Sequence, residues 1–162
     1  MSEETRRDIV LTVIFSLISS IGMTSVFWGC RFLAWIVVVI SDLYLSSVLL
    51  LAGLRSEDDG FLDRHAWVAT FFPRRTAGLL VVTLLFLAVV SGFAGLYVGV
   101  EVFPSGKTPL DALYTSFFIL GFTDYSPKPG YGQLVVIAQL GSGVLLLVAL
   151  FPLLISRIST FK

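Results

Sequence analysis

The side chains able to do chemistry in this sequence are few, and they stand in two places. Asp111 and Asp124 flank a short apolar stretch, residues 112–120. Asp42 stands alone near the middle of a long apolar run, residues 32–54. Most other chemistry is excluded by what is missing. With one histidine, His65, and one cysteine, Cys30, zinc chemistry and an intrachain disulfide are ruled out. There is no glycine-rich phosphate loop and no nucleophile beside a base, so no enzyme and no cofactor are expected. Cys30 reads as a small hydrophobe at the end of an apolar run. His65 reads as a solvent-facing loop residue or, less simply, a pH-responsive one.

The elements that must position these acids are set by composition. The chain of 162 residues is 56% apolar and 14% charged, with a mean hydropathy of +0.93. Soluble domains average about 45–50% apolar and about 25% charged. Crossing a hydrocarbon layer of about 30 Å takes roughly 20 helical residues. Residues 9–28, 32–54, 77–100 and 133–156 meet that requirement, and only Asp42 among them is charged. The first run is too long for the core of a signal peptide, and no cleavage-type exit follows it. Basic residues divide unequally between the two sides. Arg6, Arg7, Arg55, Arg64, Arg74, Arg75, Arg157 and Lys162 share one side; Arg31, Lys107 and Lys128 share the other, 8 against 3. The expectation is a multi-pass protein of the cell membrane with both termini cytoplasmic. A net charge of zero gives no argument for nucleic acid. Asp42 then lies in a membrane span, where an acid is a functional candidate. It is either hydrogen-bonded at a helix interface, with Ser41, Tyr44 and Ser46 near in sequence, or a sensor.

Residues 1–8 form a cytoplasmic tail, and residues 9–54 a transmembrane hairpin closed by Gly29, Cys30 and Arg31. Trp28 and Trp35 suit the interface near that turn. Residues 55–76 form a cytoplasmic loop, in which residues 61–72 are either an interfacial helix or plain loop. Pro73 precedes the third span, where a helix start tolerates it. The segment between spans three and four is the most informative. Thr108, Pro109 and Asp111 mark a helix start, as N-cap, first residue and first-turn acid. The apolar residues after them are too few to span. Pro127, Pro129, Gly130 and Gly132 then make loop. The pattern is span, short re-entrant helix, return loop, span. Irregular backbone at membrane depth must be buried in protein or line a water-filled path.

These residues resemble the pore module of the two-span, prokaryotic-type potassium channel family. Asp111-Ala112-Leu113-Tyr114 is similar to the start of that family's pore helix. Ile119-Leu120-Gly121-Phe122-Thr123-Asp124 aligns with the filter signature T-V-G-Y-G-D. Tyr125-Ser126-Pro127-Lys128 resembles the loop that follows, and Gly132-Gln133-Leu134 the opening of the inner helix. The resemblance covers residues 77–156 and leaves the first two spans unassigned. Three departures stand out. Ile119 replaces the filter threonine, Thr123 replaces the second filter glycine, and the pore helix is shorter by almost one turn.

The resemblance implies an all-α membrane protein with a pore domain at residues 77–156. Its parts are an outer helix 77–100, pore helix 109–118, filter 119–124 and inner helix 133–156, with residues 157–162 as a cytoplasmic end. It implies a homotetramer in lipid that passes monovalent cations, potassium or, as the alternative, potassium and sodium, through a central selectivity filter. Asp124 would sit at the filter mouth and concentrate cations; Asp111 would stabilise the pore-helix start. Tyr114, Phe117 and Phe118 would pack behind the filter or simply fill a span interface. Gly141 and Gly143 would supply a gating hinge and Pro152 a kink. The departures leave three outcomes open: potassium conduction, non-selective conduction, or a non-conducting subunit. Gating through a ligand-binding domain after Lys162 is not expected, and spans one and two carry no regular arginine ladder of a voltage sensor.

Overall fold

A computed structural model describes residues 3–57, 75–103, 108–119 and 126–158. Every regular element among them is an α-helix. Helix α1 is Glu3–Trp28, α2 Arg31–Glu57, α3 Arg75–Gly99, α4 Pro109–Ile119 and α5 Tyr131–Ile158. Four of the five are long and apolar enough to cross a membrane. Each of these overruns the apolar run that predicts it at one end or both, because polar residues at a span end continue the helix until a breaker or loop arrives.

The breaker between α1 and α2 is Gly29, whose φ of +61° belongs to the left-handed region. The Cys30 N–H reaches back to the Ser25 carbonyl at 3.1 Å, closing a Schellman-type end. Cys30 itself starts α2, accepting from the Ala34 N–H at 3.1 Å. The turn therefore satisfies backbone groups at both helix ends with a single link residue in an unusual conformation.

Helix α3 is the centre of the bundle. Over an apolar 18-residue segment within Ala77–Gly99, 67% of the residues are buried, against 33%, 28% and 33% for the corresponding segments of α1, α2 and α5. Residues 88–97 are buried on every side. A helix apolar all round belongs in such a position. Small residues let its neighbours close in. A Cβ added to Gly95 would lie 2.3 Å from Ser25 Oγ and 3.0 Å from Ala34 Cβ, and one added to Gly99 would lie 2.9 Å from the Gly29 carbonyl oxygen. A Cβ on Gly22 would lie 2.2 Å from Ser91 Oγ. Gly22, Ser25 and Gly29 thus meet Ser91, Gly95 and Gly99 in ascending order, so α1 and α3 run parallel. This is the close small-residue packing of membrane helices. Helix α2 runs antiparallel to α3, with Val38 beside Gly92 and Ala34 beside Gly95.

Candidate functional site

Helix α4 begins as its sequence requires. Thr108 Oγ1 accepts from the Asp111 N–H at 3.2 Å and donates to Asp111 Oδ2 at 2.7 Å. The Thr108 carbonyl takes the first helical bond, from the Ala112 N–H at 2.9 Å. Pro109 occupies the first helical position, where its missing N–H costs nothing. The helix is thus capped at residues 108–111 and buries one face, Ala112, Thr115, Ser116 and Ile119, at the i, i+3, i+4, i+7 spacing of a helix stripe.

That face descends beside α3. Ser116 Oγ donates to the Val90 carbonyl at 2.7 Å, and the ring of Phe117 meets that of Phe86 edge-on at 5.7 Å. Val90 is nine residues inside the end of α3 at Gly99, about 13 Å along its axis. Ser116 is therefore level with the body of α3 rather than with its end.

Gln139 of α5 locks this arrangement from the other side. It is fully buried. Its Nε2 donates to the Ser116 carbonyl at 2.6 Å and lies 3.0 Å from Ser116 Oγ. Its Oε1 accepts from the Tyr97 hydroxyl of α3. One amide thereby joins α3, α4 and α5 with its donor and acceptor ends both used. None of these three contacts is local in sequence. The available signal was Gln139 itself, a polar side chain within an apolar run, the class that bonds across helices in membranes.

The connections at the same end of the bundle are tied down too. The Lys128 N–H donates to the Val102 carbonyl at 2.8 Å, and Lys128 Nζ pairs with Glu101 Oε2 at 3.3 Å. Gly130, with φ of +84°, caps α5; its N–H donates to Gln133 Oε1 at 3.3 Å and its carbonyl accepts from the Leu134 N–H at 3.2 Å. The bare Cα of Gly132 faces the Val102 carbonyl, which an added Cβ would approach to 3.0 Å.

Tyr114, Phe117 and Phe118 form a ring cluster on the exposed side of α4, Tyr114 and Phe118 at 4.4 Å and Phe117 and Phe118 at 5.6 Å. Ile119, last residue of the helix, is buried at 3% exposure and belongs to the apolar core. Leu120, Gly121, Phe122, Thr123 and Asp124, the rest of the expected filter, lie outside the described residues. So do residues 61–72 and His65. Gly141 and Gly143 are within α5, as is Pro152, whose side chain is outside the described set. Gly141 faces open space.

Asp42 meets α5 rather than its sequence neighbours. Ser142 Oγ lies 2.8 Å from Asp42 Oδ2 and 3.0 Å from the Ala138 carbonyl. Trp35 Nε1 donates to the Tyr131 hydroxyl at 3.0 Å. The two contacts ascend together, so α2 and α5 run parallel and are pinned at two levels. Among the described residues no group of acidic, histidine or cysteine side chains is placed to hold a metal ion. Comparison of the chain with protein-family models, with curated proteins and with solved structures gives no match.

Proposed function

We propose that the chain is one subunit of a homotetrameric, passive cation channel of the cell membrane, with potassium as its principal ion. The observation that supports this best is the descent of α4. A short capped helix packs along the neighbouring span, with Ser116 level with Val90 about 13 Å from that span's end, and is fixed there by Ser116 and Gln139; in the sequence, residues 120–124 follow it. Those residues carry the filter-like order Leu120-Gly121-Phe122-Thr123-Asp124.

In this reading four copies surround one axis, because a single re-entrant loop cannot enclose an ion. Carbonyls of residues 120–123 replace the ion's hydration shell, and Asp124 raises the local cation concentration at the outer mouth. Helix α5 lines the inner pathway, with Gly141 and Gly143 as its flexible step and Pro152 nearer the cytoplasm. Both termini face the cytoplasm by the distribution of basic residues. Helices α1 and α2 form an outer layer. A second reading, a pore passing sodium as well as potassium, is favoured by the side chain of Ile119, which has no hydroxyl to offer an ion.

The test is ion flux from purified protein in liposomes. Potassium flux is expected, carried by a species containing four copies. A pure tetramer that passes neither potassium nor sodium overturns the proposal and leaves a non-conducting subunit.

A further inference from the structure

The contact between Asp42 and Ser142 is placed and built in a way that a simple packing contact does not require. Asp42 is eleven residues into α2, and Ser142 is eleven residues into α5. Each is about 16 Å from its helix start, close to the middle of a hydrocarbon layer about 30 Å thick. Ser142 is the residue between Gly141 and Gly143. The carboxyl group therefore holds α5 at its most pliable step.

Counting protons decides what state of Asp42 fits. The Ser142 hydroxyl has one proton and two oxygens within reach, Asp42 Oδ2 at 2.8 Å and the Ala138 carbonyl at 3.0 Å. With Asp42 protonated, the carboxyl donates to Ser142 and Ser142 donates to Ala138, so both contacts are hydrogen bonds. With Asp42 ionised, Ser142 has to turn its proton to the carboxylate. Asp42 Oδ1, which is buried and has no hydrogen-bond partner, would then carry negative charge with nothing to stabilise it. A charge in that position is costly. Among the described residues no charged group offsets it. Residues 9–28 of α1, 77–99 of α3 and 133–156 of α5 contain no charged side chain, and Arg6, Arg7 and Asp8 stand in the first turns of α1. The tyrosines of these helices are engaged elsewhere: Tyr97 with Gln139 and Tyr131 with Trp35. On α2 itself, Tyr44 packs its ring on Phe15 at 4.6 Å, and Arg31 and Arg55 stand near the two ends of the helix.

We propose that Asp42 and Ser142 form a proton-controlled latch, in which protonated Asp42 fastens α2 to α5 beside Gly141 and Gly143 and loss of the proton releases it. The Trp35–Tyr131 bond remains as the pivot, so release separates the halves of α2 and α5 beyond the latch. That the separation gates ion flow rests on the channel reading; the latch itself does not.

The experiment uses the full chain in lipid nanodiscs, with Cys30→Ser, Leu50→Cys and Leu147→Cys and spin labels on the two introduced thiols, at positions exposed on α2 and α5. Infrared difference spectra should show a protonated carboxyl band that Asp42→Asn removes. As pH rises and the band is lost, the label distance should lengthen. In Asp42→Asn, whose amide still donates to Ser142, the distance should stay short at every pH. In Ser142→Ala it should be long at every pH. Absence of the band, a distance that ignores pH in the unsubstituted latch, or a pH response that survives in Asp42→Asn overturns the proposal. If the channel reading also holds, flux depends on pH and loses that dependence in Asp42→Asn; if it fails, the label distances still decide the latch.

Discussion

At the scale of single residues, the firmest point in the site is one buried amide. Gln139 serves Tyr97 and Ser116 together, and both are buried. Replacing it with leucine keeps a side chain of similar bulk, removes the amide and strands the Tyr97 hydroxyl away from water. The expected loss is about 1–2 kcal/mol, the upper range for interhelical hydrogen bonds in membranes. Unfolding in mixed micelles measures it, and a change within about 0.5 kcal/mol, the ordinary range for a neutral substitution, would show that the amide holds nothing. Part of this site was legible in the sequence. Thr108, Pro109 and Asp111 signal a helix start because a cap is built from neighbours three residues apart. Asp42 stands out because it is the one charge in an apolar run. Their partners were not legible. Ser142 is 100 residues from Asp42 and Gln139 is 42 from Tyr97. Sequence proximity pointed instead to Ser41, Tyr44 and Ser46 for Asp42, and Ser41 Oγ is buried with no partner of its own.

At the scale of elements, the glycines of the bundle separate into two kinds. Gly99 has no room: an added Cβ would lie 2.9 Å from the Gly29 carbonyl oxygen and 3.1 Å from both Arg31 Cβ and Arg31 N. Those backbone atoms cannot rotate aside. Gly99→Ala should cost about 1–3 kcal/mol, as overpacking does. Gly141 has no neighbour within 4 Å of such a Cβ. Gly141→Ala should leave stability unchanged or raise it by up to about 1 kcal/mol through helix propensity. Thermal unfolding of the two variants side by side checks this, and equal effects would contradict the packing described for α3. The helices themselves were readable from hydropathy, since long apolar runs have few other uses. Which helix sits in the middle was not. The spacing Ser91, Gly95, Gly99 was present in the sequence, but hydropathy averages such residues into the run and gives no hint of the helix they admit.

At the scale of the whole molecule, the channel proposal stands or falls on residues 119–124. If these residues are the filter, Ile119→Thr together with Thr123→Gly restores a hydroxyl at the inner site and a residue tolerant of left-handed backbone. The potassium-to-sodium permeability ratio, read from reversal potentials in planar bilayers, should rise. An unchanged ratio would count against the alignment while leaving the membrane fold untouched. The sequence made the overall plan legible because spans and caps are local patterns. The packing of α4 against α3 and α5 required the Ser116, Val90 and Gln139 contacts, which no local pattern contains.

The buried position of α3 has a consequence for biosynthesis. The ribosome delivers the α1–α2 hairpin first, with Gly22, Ser25 and Gly29 facing a groove that only α3 fills closely. Bulky lipid chains fit such a groove poorly, so α3 should dock on leaving the insertion machinery, before α4 has been translated. The first two helices then act as an assembly template for the segment that follows. A chain supplied from residue 75 onward would enter the membrane without that template, presenting the small residues of α3 to lipid.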